Sequence, residues 1–231
     1  MIKVLLFLLF SSLEWMALIM LALAMFRFPL RGNVGQVVFT SFLLSLLSYF
    51  VFRTMEINAL ATVLQPPAVF LFFWQMFRIH YFYAAIVTIY GYLGFAVLQL
   101  CVYFAFDLSG IAFSEIVPNT FAGYLLQVVS VSLICGIALL LYKYRIGYSF
   151  VPDYAYKKVV LRGLNLRILL LVLAGYIVIS FSNLLFFSIG FATLTFVSLA
   201  AVLGILLYLA LKKDGSDRRP GHRGQGYGRN G

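Results

Sequence analysis

Charged side chains are scarce in this sequence. They make up 10% of its 231 residues, whereas hydrophobic residues make up 64% and the mean hydropathy is +1.03. A soluble domain is usually about one quarter charged and about half apolar, so this composition excludes an ordinary water-soluble fold. The apolar residues form runs of about 18 or more, which are typical of membrane-spanning helices. Because these runs use nearly the whole chain, no soluble catalytic, kinase or DNA-binding domain is expected.

Cysteine and histidine are also few, with two of each. Cys101 and Cys135 lie at different depths of two predicted spans, so they are too far apart for a disulfide and are expected to be packing residues. His80 and His222 are isolated, and no metal-binding spacing, P-loop or nucleophile elbow is present. The sequence therefore predicts that the protein is not an enzyme and binds no metal or other cofactor.

The apolar runs predict an all-α, polytopic transmembrane helix bundle of about seven spans. The predicted spans are residues 4–26, 35–52, 59–77, 81–106, 120–142, 168–187 and 191–211. The sixth span could instead end in a turn at Ser180 to Asn183. That turn would leave a helix of only about 18 Å for an apolar layer of about 30 Å, so a turn at Ser188 to Gly190 is preferred.

The distribution of lysine and arginine predicts the orientation of the bundle. If the spans alternate, 15 of the 17 basic residues fall on one side, and only Lys3 and Arg53 fall on the other. Basic residues are retained in the cytoplasm, so we expect the N-terminus outside a cell membrane and the C-terminus inside. Residues 212–231 are predicted to be a disordered, basic, Gly/Arg-rich cytoplasmic tail with no nucleic-acid partner. The first helix could alternatively be a cleaved signal peptide.

Glu14 is the residue that fits its predicted surroundings least well. It lies about 15 Å into the first span, where an ionised carboxylate costs several kcal/mol, and no predicted span contains a lysine or arginine to neutralise it. We expect Glu14 to be protonated, or to be held by amide and hydroxyl partners inside the bundle. Its role is either functional or limited to a hydrogen bond between two helices.

Amide side chains are concentrated near the predicted outer ends of the spans. Gln65, Gln99, Gln127 and Asn183 all lie within about 12 Å of that surface, whereas Gln75 lies near the inner one. With Glu14, these four residues could line a site that is open to an extracellular ligand. Alternatively, they are polar groups that join helices within the lipid.

A basic segment precedes the sixth span. Between Asp153 and Arg167 the pattern predicts a short helix at the membrane interface. We expect four of its side chains to contact anionic lipids of the inner leaflet, namely Lys157, Lys158, Arg162 and Arg167. A cytoplasmic protein could use the same surface.

Two stretches suggest a family. The segments LEWMALIMLALAMFRFP, from Leu13 to Pro29, and FRIHYFYAAIVTIYGYLGFAVLQL, from Phe77 to Leu100, resemble the membrane sensor region of accessory gene regulator-type, peptide-sensing histidine kinases of Gram-positive bacteria. This resemblance implies recognition of an extracellular peptide. The kinase part and its phosphotransfer histidine have no counterpart here, so no catalytic residue is carried over, and signalling through another protein is expected.

The leading functional prediction is therefore a receptor-like sensory module, without its own kinase domain, that recognises an extracellular peptide or small molecule. One alternative is a small transporter or substrate-capture subunit, in which Glu14 couples to protons and a helix break at Pro66 and Pro67 lies near the pathway. A second alternative is a membrane scaffold or accessory protein that binds a membrane or cytoplasmic partner.

Overall fold

The computed structural model describes residues 2–51, 58–110, 120–151, 163–186 and 192–217. These residues are 87% helical and include no strand. They form seven α-helices and a short 3-10 turn at Arg31–Asn33. The helices are α1 (Ile2–Met25), α2 (Val34–Tyr49), α3 (Asn58–Gln75), α4 (Tyr81–Leu108), α5 (Phe121–Lys143), α6 (Leu164–Phe186) and α7 (Ala192–Asp217).

Five of these helices are long and apolar enough to cross a membrane: α1, α4, α5, α6 and α7. The predicted all-α membrane bundle is confirmed to this extent. With 16 residues, α2 is shorter than the minimum of 18 residues expected of a membrane-spanning helix. Seven crossings, and the direction of the chain through the bilayer, remain predictions.

The C-terminal end of α7 differs most from the predicted spans. Helix α7 ends at Asp217 rather than at residue 211, because the buried stripe on one side of the helix continues through Lys213 and Asp214. The predicted disordered tail therefore does not begin at residue 212, and residues 218–231 lie outside the described part of the chain. Helix α6 passes without a turn through Ser180 and Asn183, as the preferred interpretation predicted.

Contacts between helix ends define two faces of the bundle. At the first, which we call the N-terminal face, the start of α1 meets the end of α2 and the start of α5. The ring centroids of Phe7 and Tyr49 are 5.8 Å apart there, and those of Phe10 and Tyr124 are 4.7 Å apart. At the opposite, C-terminal face, α1, α5 and α7 end and α4 and α6 begin, so these helices alternate in direction.

Helix α4 lies at the centre of the bundle. It packs against α1, α3, α5, α6 and α7. In its most apolar stretch 61% of the residues are buried, compared with 22–33% for the other four long helices. Its closest approach to α1 is at Gly91, where an added Cβ would lie 2.6 Å from the Cβ of Ala22. Glycine at this position lets the two backbones pack closely, as small residues do in membrane helix pairs.

Helix α3 continues through Pro66 and Pro67. A break at these prolines is not observed, which agrees with the predicted uninterrupted span over residues 59–77. Proline at position 67 removes the amide that would bond to the carbonyl of Val63. The Tyr176 hydroxyl of α6 donates to that carbonyl oxygen instead, at 3.0 Å, and a neighbouring helix thus satisfies the freed acceptor.

Candidate functional site at the Glu14 level

Glu14 lies about midway along α1, on the side that packs against α5. Its side chain is half-buried and lies beside the side-chain amide of Gln127. The amide oxygen of Gln127 is buried and has no hydrogen-bond partner among the described residues. Gln127 is thus the amide next to Glu14, and a ligand-binding role for either residue stays a prediction.

The next residue, Trp15, lies at nearly the same depth as Glu14 and makes polar contacts on another side of α1. Trp15 is buried, and its indole nitrogen donates to the hydroxyl oxygen of Ser48 on α2, at 3.1 Å. The side-chain amide of Gln65 on α3 donates to the same oxygen at 3.3 Å. A hydroxyl oxygen has two lone pairs, so Ser48 can accept both bonds. One serine therefore joins α1, α2 and α3.

The same indole ring also contacts the central helix. The ring centroids of Trp15 and Tyr92 are 6.0 Å apart in an edge-to-face arrangement. The Tyr92 hydroxyl is buried and has no hydrogen-bond partner within the described ranges. Because consecutive residues of a helix point about 100° apart, Glu14 and Trp15 present two polar clusters at one depth on different sides of α1.

Three of the five predicted site residues meet at this level: Glu14, Gln65 and Gln127. Gln99 is half-buried on α4, and no described hydrogen bond connects it to the cluster. Asn183 lies on α6, and its side chain is outside the described part of the structure. Trp15, Ser48 and Tyr92 were not predicted, because serine and aromatic residues are common in every span and hydropathy does not indicate which of them face one another.

An apolar groove lies next to this level, on the N-terminal half of α1. Its volume is about 380 Å³, and it is lined by Leu5, Leu6, Leu8, Leu9, Ser12 and Phe42. A second, smaller cavity is lined mainly by apolar side chains of α1, α2 and α3. Neither of these two best-formed cavities of the described chain is lined by Glu14 or by the amides.

The remaining predicted residues are placed as follows. Arg167 is exposed in the first turn of α6, whereas Lys157, Lys158 and Arg162 lie outside the described residues. Cys101 and Cys135 are both free thiols, as expected. Within the described ranges, no group of three or more potential metal ligands occurs.

Comparisons with protein-family models, curated proteins and solved structures found no match. The resemblance to peptide-sensing histidine kinases therefore stays a prediction.

Proposed function

We propose that this chain is a receptor-like sensory module of the cell membrane, with seven crossings, its N-terminus outside and its C-terminus in the cytoplasm. The alternating helix directions and the one-sided distribution of lysine and arginine support this topology. With this orientation, the N-terminal face and the start of α1 are extracellular.

The main support for the proposal is that side chains of four helices contact one another around Glu14 and Trp15. Trp15 of α1 and Gln65 of α3 both donate to the Ser48 hydroxyl of α2, and Gln127 of α5 lies beside Glu14. A ligand that displaces one of these contacts would therefore alter the packing around α1. The adjacent groove is apolar, and the ligand it fits best is an extracellular peptide or small molecule with an apolar part. Gln99 and Asn183 are retained as further candidates for ligand contact.

Trp15 provides a direct test, because the chain has only two tryptophans and the other, Trp74, is 45% exposed. Trp74→Phe leaves Trp15 as the single reporter. This variant, purified in lipid nanodiscs, would be titrated with a panel of extracellular peptides and small apolar solutes while Trp15 fluorescence is recorded.

We expect a saturable change for at least one ligand, with affinity lowered about tenfold or more by Glu14→Ala or Ser48→Ala. Ser41→Ala is the matched control, because the Ser41 hydroxyl bonds only within α2, to the carbonyl of Val37. The proposal fails if no member of the panel gives a saturable change, or if Ser41→Ala lowers the affinity as much as Ser48→Ala.

A proton-coupled transporter is the second candidate, because Glu14 is a carboxyl group that lies beside an amide side chain in an apolar helix. Proteoliposomes with an imposed pH gradient distinguish the two functions. Transport predicts solute-dependent proton flux that Glu14→Gln abolishes, whereas a receptor shows binding without flux.

The exposed Arg167 and the basic residues before it are proposed to contact anionic lipids of the inner leaflet. A membrane or cytoplasmic protein that receives the signal could bind the same surface. Native-membrane cross-linking with and without anionic lipid separates these two partners.

A further inference from the structure

The end of α7 buries two charged residues at the C-terminal face. Leu206 and Ala210 form a buried stripe along the helix, and the stripe continues with Lys213 and Asp214, which are only 5% and 8% exposed. Charged side chains are almost never buried to this degree unless they are paired or hydrogen-bonded. The residues around them therefore form a specific site rather than a solvated helix end.

Lys213 lies in a cage of three aromatic rings. Its ammonium nitrogen is 4.7 Å from the ring centroid of Phe150, 5.2 Å from that of Tyr83 and 5.3 Å from that of Phe82. It also donates to the side-chain oxygen of Asn165, in the first turn of α6, at 2.8 Å. Each aromatic face attracts a cation by about 0.5–2 kcal/mol. One side chain of α7 thus binds the starts of α4 and α6.

Asp214 binds the short segment of residues 147–151, which we call the strap. The backbone amide and the hydroxyl of Ser149 both donate to one carboxylate oxygen of Asp214, at 2.8 Å and 2.6 Å. Hydrogen bonds to a charged acceptor are stronger than neutral ones. The strap follows α5 in the chain, so this contact connects the end of α5 to the end of α7.

The strap also crosses the end of α1. The Tyr148 amide donates to the carbonyl of Met25, the last residue of α1, at 2.8 Å. The backbone at Gly147 is so close that an added Cβ would lie 2.5 Å from the same carbonyl oxygen. This amide satisfies one of the carbonyls that every helix end leaves without an intrahelical partner.

Two tyrosine hydroxyls bond to carbonyl groups of α7 that lie about two turns before Lys213. Tyr90, on α4, donates to the carbonyl of Leu206 at 2.6 Å, and Tyr148, on the strap, donates to that of Leu207 at 3.2 Å. The opposite side of this part of α7 is open, since Tyr208 and Leu211 are more than 60% exposed. The described contacts therefore hold the end of α7 from one side only.

We propose that the strap, Lys213 and Asp214 form a lock that fixes the C-terminal turns of α7 to α1, α4 and α6, and that this lock opens as a unit while the rest of the bundle stays folded. The lock joins α7 to its neighbours through polar and cation–π contacts that lie together at one face of the bundle. Because they share the same two turns of α7, these contacts would be lost together when the end of α7 moves. This inference is independent of the proposed receptor function.

Amide hydrogen exchange of the full chain in lipid nanodiscs tests the lock. We compare Lys213→Met with Lys212→Met, because Lys212 is the neighbouring lysine and is exposed. We expect Lys213→Met and Asp214→Ala to accelerate exchange at residues 210–217 about tenfold or more, with α1 and α4 unchanged. Lys212→Met should leave the exchange at residues 210–217 as in the wild type.

Ser149→Ala is a milder variant that keeps both charges and removes one of the two bonds that Ser149 donates to Asp214. It should give a smaller acceleration at the same residues, which keeps the test valid if Lys213→Met does not fold. The lock is refuted if exchange at residues 210–217 is unchanged in Asp214→Ala and Ser149→Ala, or if it rises equally throughout the bundle.

Discussion

At the scale of single residues, Glu14 is the group that the membrane environment penalises most. Within the described chain its carboxyl lies beside the side-chain amide of Gln127. An amide can donate a hydrogen bond to a carboxyl oxygen, and such a contact offsets part of the cost of placing this group in the apolar layer. The pair is consistent with a group that exchanges a proton or is displaced by a ligand.

Substitution of Glu14 by glutamine and by alanine separates the hydrogen bond from the charge. Glu14→Gln keeps a donor and an acceptor next to Gln127, so the free energy of unfolding should stay within about 0.5 kcal/mol of the wild type. Glu14→Ala leaves the buried amide without its partner and should cost about 1–3 kcal/mol. Unfolding by denaturing detergent in mixed micelles measures both values. Equal losses in the two variants would show that an ionised carboxylate itself is required.

Tyr148, at the C-terminal face, lies outside the predicted spans. Burial raises the pKa of its hydroxyl above the ordinary value of 10.0, and the nearby Asp214 carboxylate raises this pKa further. Because the folded-state pKa is the higher one, the stabilising contribution of this hydroxyl is complete below pH 10 and is lost as the pH rises through the folded-state pKa.

Carbon-13 labelling of the tyrosine rings tests this assignment. The resonance that disappears in Tyr148→Phe should titrate with a midpoint above 10.0 in the wild type, and Asp214→Asn should bring that midpoint closer to 10.0. A midpoint at or below 10.0 would mean that the hydroxyl is hydrated and that the strap is not seated on α7.

At the scale of elements, the α1–α4 contact determines how closely the two central helices approach. An added methyl group at Gly91 would overlap Ala22, so Gly91→Ala should force the helices apart and cost about 1–3 kcal/mol. Gly136→Ala, on α5, is the matched control, because no atom lies within 4 Å of its added Cβ. Detergent-induced unfolding should show a change of less than about 1 kcal/mol for the control.

The double variant Gly91→Ala, Ala22→Gly checks the cause. It exchanges the methyl group between the two facing positions and should recover most of the lost stability, because the overlap is removed. If the double variant were as unstable as Gly91→Ala alone, the loss would come from the glycine position itself and not from the contact with Ala22.

The helices could be predicted from the sequence, because apolar runs of sufficient length have few alternatives in lipid. The end of α7 could not be predicted, because hydropathy indicates that the span ends before Lys212, whereas the buried side of the helix continues to Asp214. The group that compensates for Pro67 could not be predicted either, because the Tyr176 hydroxyl comes from a distant helix.

The candidate site was predictable only in part. Glu14 is conspicuous as a charge in an apolar run, and its depth follows from its position in that run. The choice of Gln127 as its partner depends on which helix packs against α1, and a nearly uniform apolar sequence does not indicate this. Ser48 and the Lys213 cage depend on the same packing order, so they are visible only in the structure.

At the scale of the whole molecule, the proposed topology requires that all seven helices cross the bilayer and that α1 enters from outside. Five of them are long and apolar enough to cross a membrane. The prediction of seven crossings therefore depends on α2 and α3. If α2 and α3 did not cross, the segment between them would lie on the same side as Arg31, and Ser48 and Gln65 would not belong to a level within the membrane.

Labelling of single cysteines in intact cells with a membrane-impermeant maleimide tests this most directly. In a background with Cys101 and Cys135 replaced by serine, cysteines would be introduced one at a time at Arg31, Arg53, Ser109 and Lys212. The account predicts that the cysteines at positions 53 and 109 react in intact cells, and that those at 31 and 212 react only after permeabilisation. Labelling of positions 31 and 53 from the same side, or of 109 and 212 from the same side, would contradict it.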